Sequence, residues 1–188
     1  MTTVPAIKGL IGDKLYYQCT MNAKDLIART EAVEEYFSED DIKEQGEKGT
    51  LQRKLNSRYL TEVAPYLLRN KDRFIPSIVV NLDTELCEFS SLEDFTVSVE
   101  GKMHRVKDSI QFDYRDQASN IGFLHIKDVG SMYILDGQHR MAAYRAAIRP
   151  SDKEKKSLLK EFEDKDEVHL MDNSSELKKD QISVLFVL

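Results

Sequence analysis

The chain has 188 residues, of which 41% are hydrophobic and 32% charged, with a formal net charge of −6 at pH 7. This apolar content is enough for the core of one domain, which we expect to span residues 1–188. The acidic balance argues against general nucleic-acid binding, which would require a local basic patch.

The cysteines and the N-terminal residues indicate the cellular compartment. Cys19 and Cys87 lie far apart in the sequence, and neither has a Cys or His at metal-ligand spacing. We therefore expect no disulfide framework and no metal site. Residues 1–12 lack the pattern of a signal peptide, and no apolar run reaches the roughly 18 residues of a membrane span. A cytoplasmic protein with no membrane partner is predicted.

The first part of the chain predicts two extended segments and a helix. Val4–Ile11 is punctuated by proline and glycine, and Lys14–Thr20 is rich in aromatic residues that suit a strand. Asn22 can cap a helix predicted to run from Ala23 to Phe37. The acidic segment Ser38–Gly49 is predicted to be a loop.

Positive charge is concentrated between Lys48 and Arg73, where seven basic residues face two acidic ones. Apolar residues recur there at helical spacing, so the segment is predicted to be largely helical, with Pro65 kinking it or dividing it into two helices. Such a patch can contact DNA phosphates. The alternative is a solvated surface partly paired with the acidic 31–47 segment. The candidate DNA-binding residues are Arg53, Lys54, Arg58, Arg69, Lys71 and Arg73.

The second half of the chain predicts more strands and two helices, with a hairpin or mobile loop at Glu100–Asn120. The predicted helices are Ala142–Ile148, which Pro150 ends, and the charged Ser151–Lys165. Together the elements predict an α+β fold with a small mixed sheet of five or more strands and helices around it. The strands are predicted at Phe74–Asn81, Asp94–Val99, Ile121–Ile126, Ser131–Leu135 and Ile182–Leu188.

The last predicted strand is wholly apolar and ends the chain. Such a strand is expected deep inside a sheet. Two interpretations stay open: the chain is truncated at its C-terminus, or this is a genuine C-terminal strand.

The candidate site follows the predicted strand that ends at Leu135. Asp136 and Gly137 form a turn into a helix whose first turn carries Gln138, His139 and Arg140. Free backbone N–H groups and the positive end of the dipole at a helix N-terminus favour an anion. Glycine lets the chain turn sharply and lets a ligand approach the backbone.

Each side chain of the turn has a candidate role. Arg140 can hold a phosphate oxygen, and His139 can donate a hydrogen bond or transfer a proton. Gln138 can recognise a sugar hydroxyl or a base edge, or can orient His139. In the alternative interpretation Asp136 is an ordinary N-cap and Gly137 serves only the geometry of the turn.

The run ILDGQHRMAAY at Ile134–Tyr144 resembles the signature of the DGQHR-domain family. That family includes DndB, a regulatory component of DNA phosphorothioate modification systems, and related proteins of 7-deazaguanine DNA modification clusters. The resemblance covers Val4 to about Ile148, with a plausible later strand at Ile182–Phe186. It also rests on Val4–Gly9, on Gln52-Arg53 with Arg58 and Tyr66-Leu67, and on Phe74–Ile78.

The family in turn is similar to the ParB/sulfiredoxin superfamily. This resemblance implies a ParB/sulfiredoxin-like fold in which Gly137, His139 and Arg140 contact nucleotide phosphates. Sulfiredoxins carry a reactive cysteine where this chain has Gln138, so thiol chemistry is not expected.

The resemblance implies a DNA-binding transcriptional repressor linked to a DNA modification system. Its nucleotide would be ATP or another nucleotide, with or without Mg²⁺, bound by Gly137, Gln138, His139 and Arg140. Its partners would be DNA and other proteins of the system. One alternative is an ATP hydrolase or ParB-like nuclease that uses His139, Arg140 and Asp136 as catalytic groups. The other is a structural or interaction domain with an inert turn.

Overall fold

The computed structural model describes residues 1–31, 55, 57–105, 119–128, 132–162 and 173–188. An eight-stranded mixed sheet forms the body of the protein, and a two-stranded hairpin lies apart from it. The described strands are β1 Thr2–Ile11, β2 Lys14–Asn22, β3 Thr30–Glu31, β4 Ile78–Asn81, β5 Cys87–Ser91, β6 Thr96–Val99, β7 Lys102–Arg105, β8 Ile121–Ile126, β9 Met132–Asp136 and β10 Gln181–Val187.

The strand order in the large sheet is β3-β9-β4-β10-β2-β1-β8-β5. β10 pairs in parallel with β4, and β3 pairs in parallel with β9. The remaining neighbours are antiparallel. The predicted α+β fold with a mixed sheet is thus confirmed, and the apolar C-terminal strand lies in the interior of the sheet, between β4 and β2.

Four helices of at least seven residues, and one shorter helical segment, connect or follow these strands in the described part of the chain. Short 3₁₀ turns occupy Thr84–Leu86 and Leu92–Asp94, and residues 173–177 are helical. None of the described helices is long and apolar enough to cross a membrane. The helices are α1 Ala23–Arg29, α2 with a π-helical turn at Tyr59–Val63 continuing as an α-helix at Ala64–Arg69, α3 Gln138–Ile148 and α4 Asp152–Glu161.

One hydrophobic core joins the helices to a single face of the sheet. In β10 the side chains of Ile182, Val184 and Phe186 are buried, while the alternate residues are half-buried or, at Gln181, exposed. This period of two follows from the pleat of a strand. Leu67 of α2 and Met141 of α3 are fully buried against that face, which places the start of α3 beside β4 and β9.

The predicted helix from Ala23 to Phe37 was too long, because α1 ends at Arg29. Thr30 has extended backbone and pairs with Met132 of β9. Its hydroxyl donates to the carbonyl of Leu26 at 2.8 Å. Pairing with a distant strand therefore overrides the local helical pattern. The predicted loop at Ser38–Gly49 lies outside the described residues.

Pro65 changes the type of helix instead of breaking it. Proline has no N–H to donate to the carbonyl four residues earlier. The backbone N–H of Ala64 donates to the carbonyl of Tyr59, five residues back, and the α-helix then continues from Ala64 with Pro65 in its first turn. The π turn thus places the proline where its missing donor is not needed.

The strand predicted at Phe74–Asn81 begins only at Ile78, and Phe74–Ser77 is an irregular segment. Pro76 cannot donate a hydrogen bond to a neighbouring strand, and its carbonyl accepts from Arg140 instead. The segment is therefore held by a side chain of α3 and not by strand pairing.

The other boundaries were close to those predicted, with one strand missed. Helix α4 begins behind a capping box of Ser151 and Glu154 and ends before the predicted Lys165. The β6–β7 hairpin turns at Glu100 and Gly101, both with positive φ, so the predicted hairpin is confirmed there, while 106–118 lies outside the described residues. β5, for which no strand was predicted, pairs with β8 at the edge of the sheet.

Candidate functional site

The DGQHR turn joins the end of β9 to the start of α3. Gly137 is the N-cap of α3 and has left-handed backbone, with φ of 95° and ψ of 17°. The N–H of Met141 closes the first helical turn on the carbonyl of Gly137 at 2.9 Å. As a glycine, the N-cap residue has no side chain with which to cap the helix. The interpretation of Asp136 as the N-cap is therefore wrong, because Asp136 still belongs to β9.

Only glycine fits at position 137. A Cβ atom built there would lie 2.5 Å from Cδ1 of Ile78 and 3.1 Å from Nη2 of Arg140. Its positive φ is also unfavourable for any residue with a side chain. The backbone conformation of the turn thus requires Gly137, and a Cβ atom there would also displace the end of the Ile78 side chain in β4.

A β-bulge precedes the turn. Val79 pairs with Asp136 and Val80 pairs with Ile134, so Leu135 is the extra residue on β9. Ile134 is buried, and both Leu135 and Asp136 are exposed. Strict alternation would have placed Asp136 on the same face as Ile134. The bulge therefore turns the carboxylate of Asp136 away from the core, as bulges beside functional sites often do.

Arg140 ties the turn to the segment before β4. Its Nη2 donates to Oδ2 of Asp136 at 2.7 Å, and its Nη1 donates to the carbonyls of Pro76 at 2.9 Å and Ser77 at 3.0 Å. The Arg140 side chain is 20% exposed and that of Asp136 is 70% exposed. These bonds occupy three of the five N–H groups of a guanidinium. Arg140 thus has a structural role whether or not it also contacts phosphate.

Gln138 is the unusual residue of the turn. It is only 7% exposed, and neither Nε2 nor Oε1 of its amide has a hydrogen-bond partner among the described residues. A buried polar group without a partner costs about 1–3 kcal/mol, and most such groups in folded proteins are satisfied. His139, the next residue, is partly buried. The first turn of α3 thus contains a buried amide without a partner among the described residues, directly after the left-handed N-cap.

The basic residues of the predicted DNA surface lie in different surroundings. Arg53 and Lys54 lie outside the described residues. Arg58 is exposed and makes two bonds of 3.0 Å with the carboxylate of Glu62, one turn later in α2. Lys71 is exposed at the end of the same region.

Arg69 and Arg73 make contacts inside the protein. Arg69 donates to the carbonyl of Glu161 and stacks over the ring of Phe162 at 4.5 Å, although its side chain is still exposed. Arg73 binds both carboxylate oxygens of Asp180 at 2.5 and 2.6 Å. Its side chain is 12% exposed. Of the two, Arg69 remains the more accessible to a partner.

The Arg73–Asp180 pair also includes a residue of α3. The hydroxyl of Tyr144 donates to Oδ2 of Asp180 at 3.0 Å. Burial, and then the charge of Asp180, raise the pKa of Tyr144. The hydrogen bond with Asp180 raises the pKa of Arg73. Sequence reasoning missed this network, because Asp180 lies more than 100 residues from Arg73.

In the ranges that the structure describes, no group of three or more His, Cys, Asp or Glu side chains is placed to hold a metal ion. His125 of β8 lies between the hydroxyls of Thr3 and Ser90, at 2.9 and 3.1 Å. Both of its ring nitrogens therefore contact protein groups. Among the described residues, the candidates for ligand binding therefore remain those around the DGQHR turn.

The comparisons with known proteins give one match. The family model described as DndB, DNA-sulfur modification-associated, matches residues 4–188. No curated protein and no solved structure matches the chain. The matched range contains the whole sheet from Val4 onward, the DGQHR turn and the C-terminal strand. The chain therefore belongs to the DndB family of DNA-sulfur modification-associated proteins.

Proposed function

We propose that this protein is a DNA-binding regulator of a DNA-sulfur modification system, and that it binds a phosphate-bearing nucleotide at the DGQHR turn. The observation that carries the nucleotide site is the buried amide of Gln138, which has no partner among the described residues. Family membership supports the association with DNA modification. The transcriptional repressor role and the ParB/sulfiredoxin-like reading of the turn belong to this proposal.

The geometry of the turn suits an anion. Helix α3 has 11 residues, and its N-cap, Gly137, has left-handed backbone and no side chain that could accept from the first helical turn. Such N–H groups and the helix dipole attract phosphate. Because Asp136 and Arg140 pair with each other, their charges largely cancel. The backbone and Gln138 would thus provide most of the recognition, with the remaining Arg140 donors adding to it.

The donor set fits ATP or another nucleotide, with or without Mg²⁺. Gly137, Gln138, His139 and Arg140 would contact the phosphates or the sugar. A Mg²⁺ ion bound with a triphosphate would neutralise phosphate charge, and the exposed carboxylate of Asp136 is the group at the turn that could share it.

The exposed side chains of Arg58, Arg69 and Lys71 support a DNA surface. We keep Arg53, Lys54, Arg58, Arg69 and Lys71 as its phosphate contacts, with Arg58 exchanging its exposed partner on α2 for DNA. Surface pairs of this kind contribute little to stability, so such an exchange has a low cost. We do not propose Arg73 as a DNA contact, because its side chain is largely buried in an ion pair with Asp180. This ion pair would instead fix the C-terminal end of the basic surface to the rest of the protein.

The nucleotide site is tested by calorimetric titration with ATP and the other ribonucleoside triphosphates, with and without Mg²⁺. Wild type should bind, and Gln138→Met should bind much more weakly while it stays folded. Absence of binding to all of them would refute the nucleotide site. A parallel assay measures phosphate release: release that His139→Ala abolishes would identify a hydrolase, which is the alternative function.

The DNA surface is tested by measuring affinity for promoter DNA of the modification genes over a range of salt concentrations. Lys71→Ala should lower affinity for all sequences and reduce the slope of log K against log salt by about 1. Lys102→Ala is the matched control, because it removes the same charge from the separate β6–β7 hairpin. Equal effects of the two substitutions would contradict the proposed surface.

A further inference from the structure

Phe74 is an exposed aromatic residue next to the candidate nucleotide site. Its side chain is 78% exposed, and no large apolar side chain in the described ranges is more exposed. It lies in the irregular segment between α2 and β4, two residues before Pro76. A single exposed apolar residue is common on protein surfaces, so its significance depends on how it is held and on what it adjoins.

The backbone around Phe74 is held firmly on both sides. Its N–H donates to the hydroxyl of Tyr66 at 3.0 Å. The preceding residue, Arg73, is bound to Asp180 and to the carbonyl of Asn70 at 2.9 Å. The exposed ring is therefore carried by an ordered backbone.

The residues that follow are held as firmly. The carbonyls of Pro76 and Ser77 accept hydrogen bonds from Arg140. The hydroxyl of Ser77 lies 2.8 Å from that of Ser183 in β10. Because this segment is already ordered, binding of a ligand to the ring would cost little conformational entropy of the loop.

The same contacts place Phe74 beside the DGQHR turn. One guanidinium, that of Arg140, bonds both Asp136 of the turn and the carbonyl of Pro76. Two residues span at most about 7 Å of extended chain, so the backbone of Phe74 lies within about that distance of Pro76, which Arg140 binds. The turn and the exposed ring can therefore contact one ligand.

The amide of Gln138 indicates which kind of ligand this is. Nε2 needs a hydrogen-bond acceptor and Oε1 needs a donor, and both atoms lack a partner among the described residues. An ionised phosphate offers acceptors only. A sugar hydroxyl or a base N–H can supply the missing donor. A ligand that bonds both atoms therefore needs a donor as well as an acceptor, and a nucleoside offers both, whereas phosphate offers acceptors only.

We infer that Phe74 stacks on the base of a nucleotide whose phosphate lies at the DGQHR turn. This inference rests on the proposed nucleotide site and narrows its ligand from phosphate esters in general to base-bearing ones. Stacking on an aromatic ring accepts any base, because every base has a π-face. The exposed Lys71, three residues before Phe74, adds a positive charge for the phosphates. The base can belong to a free nucleotide or to single-stranded DNA.

The experiment is a set of titrations with tripolyphosphate, with ATP and with a short single-stranded oligodeoxynucleotide. They use wild type, Phe74→Ala, Phe74→Trp and the matched control Met103→Ala. Met103 is also highly exposed, at 67%, but lies in the separate β6–β7 hairpin. Thermal unfolding checks that all variants fold, as expected for changes at exposed side chains.

Phe74→Ala should weaken binding of the base-bearing ligand roughly 5- to 150-fold, the loss expected for one stacked base. It should leave tripolyphosphate binding unchanged, and Phe74→Trp should restore affinity. A loss confined to ATP identifies a free nucleotide as the ligand, and a loss confined to the oligodeoxynucleotide identifies single-stranded DNA.

Two results would overturn the inference. Either Phe74→Ala binds ATP and the oligodeoxynucleotide as wild type does, or it loses tripolyphosphate to the same degree. In both cases wild type still binds, so the nucleotide site itself survives. If wild type binds none of the three ligands, the proposed site fails, and the role of Phe74 fails with it.

Discussion

Replacement of Gln138 by methionine separates a ligand-binding role from a purely structural one. Methionine has a similar length and no polar group to satisfy. Because both amide atoms of Gln138 are buried without a partner among the described residues, their removal should relieve a cost of about 1–3 kcal/mol. We therefore expect the free energy of unfolding of the ligand-free protein to rise by about that amount.

For a chain of this length, such a gain corresponds to a rise in Tm of roughly 2–12 °C. Urea and thermal unfolding measure it, with Gln18→Met as the control. Gln18 is exposed on β2, so the same substitution there should change stability by no more than about 0.5 kcal/mol. Calorimetry on the same protein should show that Gln138→Met loses nucleotide affinity, the trade of function for stability expected at a binding site.

A loss of stability in Gln138→Met would refute this reasoning. It would mean that the amide is satisfied in the folded protein and contributes to its packing. A gain in stability with unchanged nucleotide affinity would confirm that burying the unpaired amide is costly, but would show that Gln138 does not contact the nucleotide.

Three further predictions concern stability. Gly137→Ala should lower the free energy of unfolding by roughly 1–3 kcal/mol from backbone strain alone. The loss should exceed that of Gly12→Ala, because Gly12 also has positive φ but a Cβ atom there would meet no described atom within 4 Å. Equal losses in urea unfolding would contradict the close packing at the turn. Arg73→Met leaves its largely buried carboxylate partner, Asp180, without a cation and should cost roughly 3 kcal/mol. Arg58→Ala breaks an exposed pair and should leave the free energy of unfolding nearly unchanged; similar losses would argue against the internal role of Arg73. Burial raises the pKa of the Cys19 thiol to about 12, so the folded state favours the neutral thiol. The free energy of unfolding should therefore fall as the pH rises above the ordinary thiol pKa of about 8.5. Cys19→Ala should remove that part of the pH dependence when unfolding is measured from pH 7 to 10.

The strand–turn–helix of the candidate site was predictable because its determinants are local. A short continuous apolar run predicts β9, a glycine after the strand predicts the turn, and small apolar residues predict α3. The sequence placed Gln138, His139 and Arg140 in the first helical turn, and the structure confirms that position. Predictions of this kind need no information beyond about 15 neighbouring residues.

The partners of these residues could not be predicted, because they come from distant parts of the chain. Arg140 bonds carbonyls 63 and 64 residues away, and Arg73 bonds a carboxylate 107 residues away. Thr30 ends α1 early because it pairs with β9. In each case a tertiary contact decides a feature that local propensity leaves open.

The burial of Gln138 changes which residue of the motif is expected to recognise a ligand. By residue type, Arg140 is the natural phosphate contact and Gln138 an accessory. In the folded chain the charge of Arg140 is paired with Asp136, and three of its donors already hold the protein together. The amide of Gln138 makes no hydrogen bond to any described residue. A hydrogen bond made to it by a ligand replaces no existing protein contact, so its contribution to binding is not offset by a lost contact. For that reason the neutral amide, more than the arginine, should decide the affinity and the selectivity of this turn.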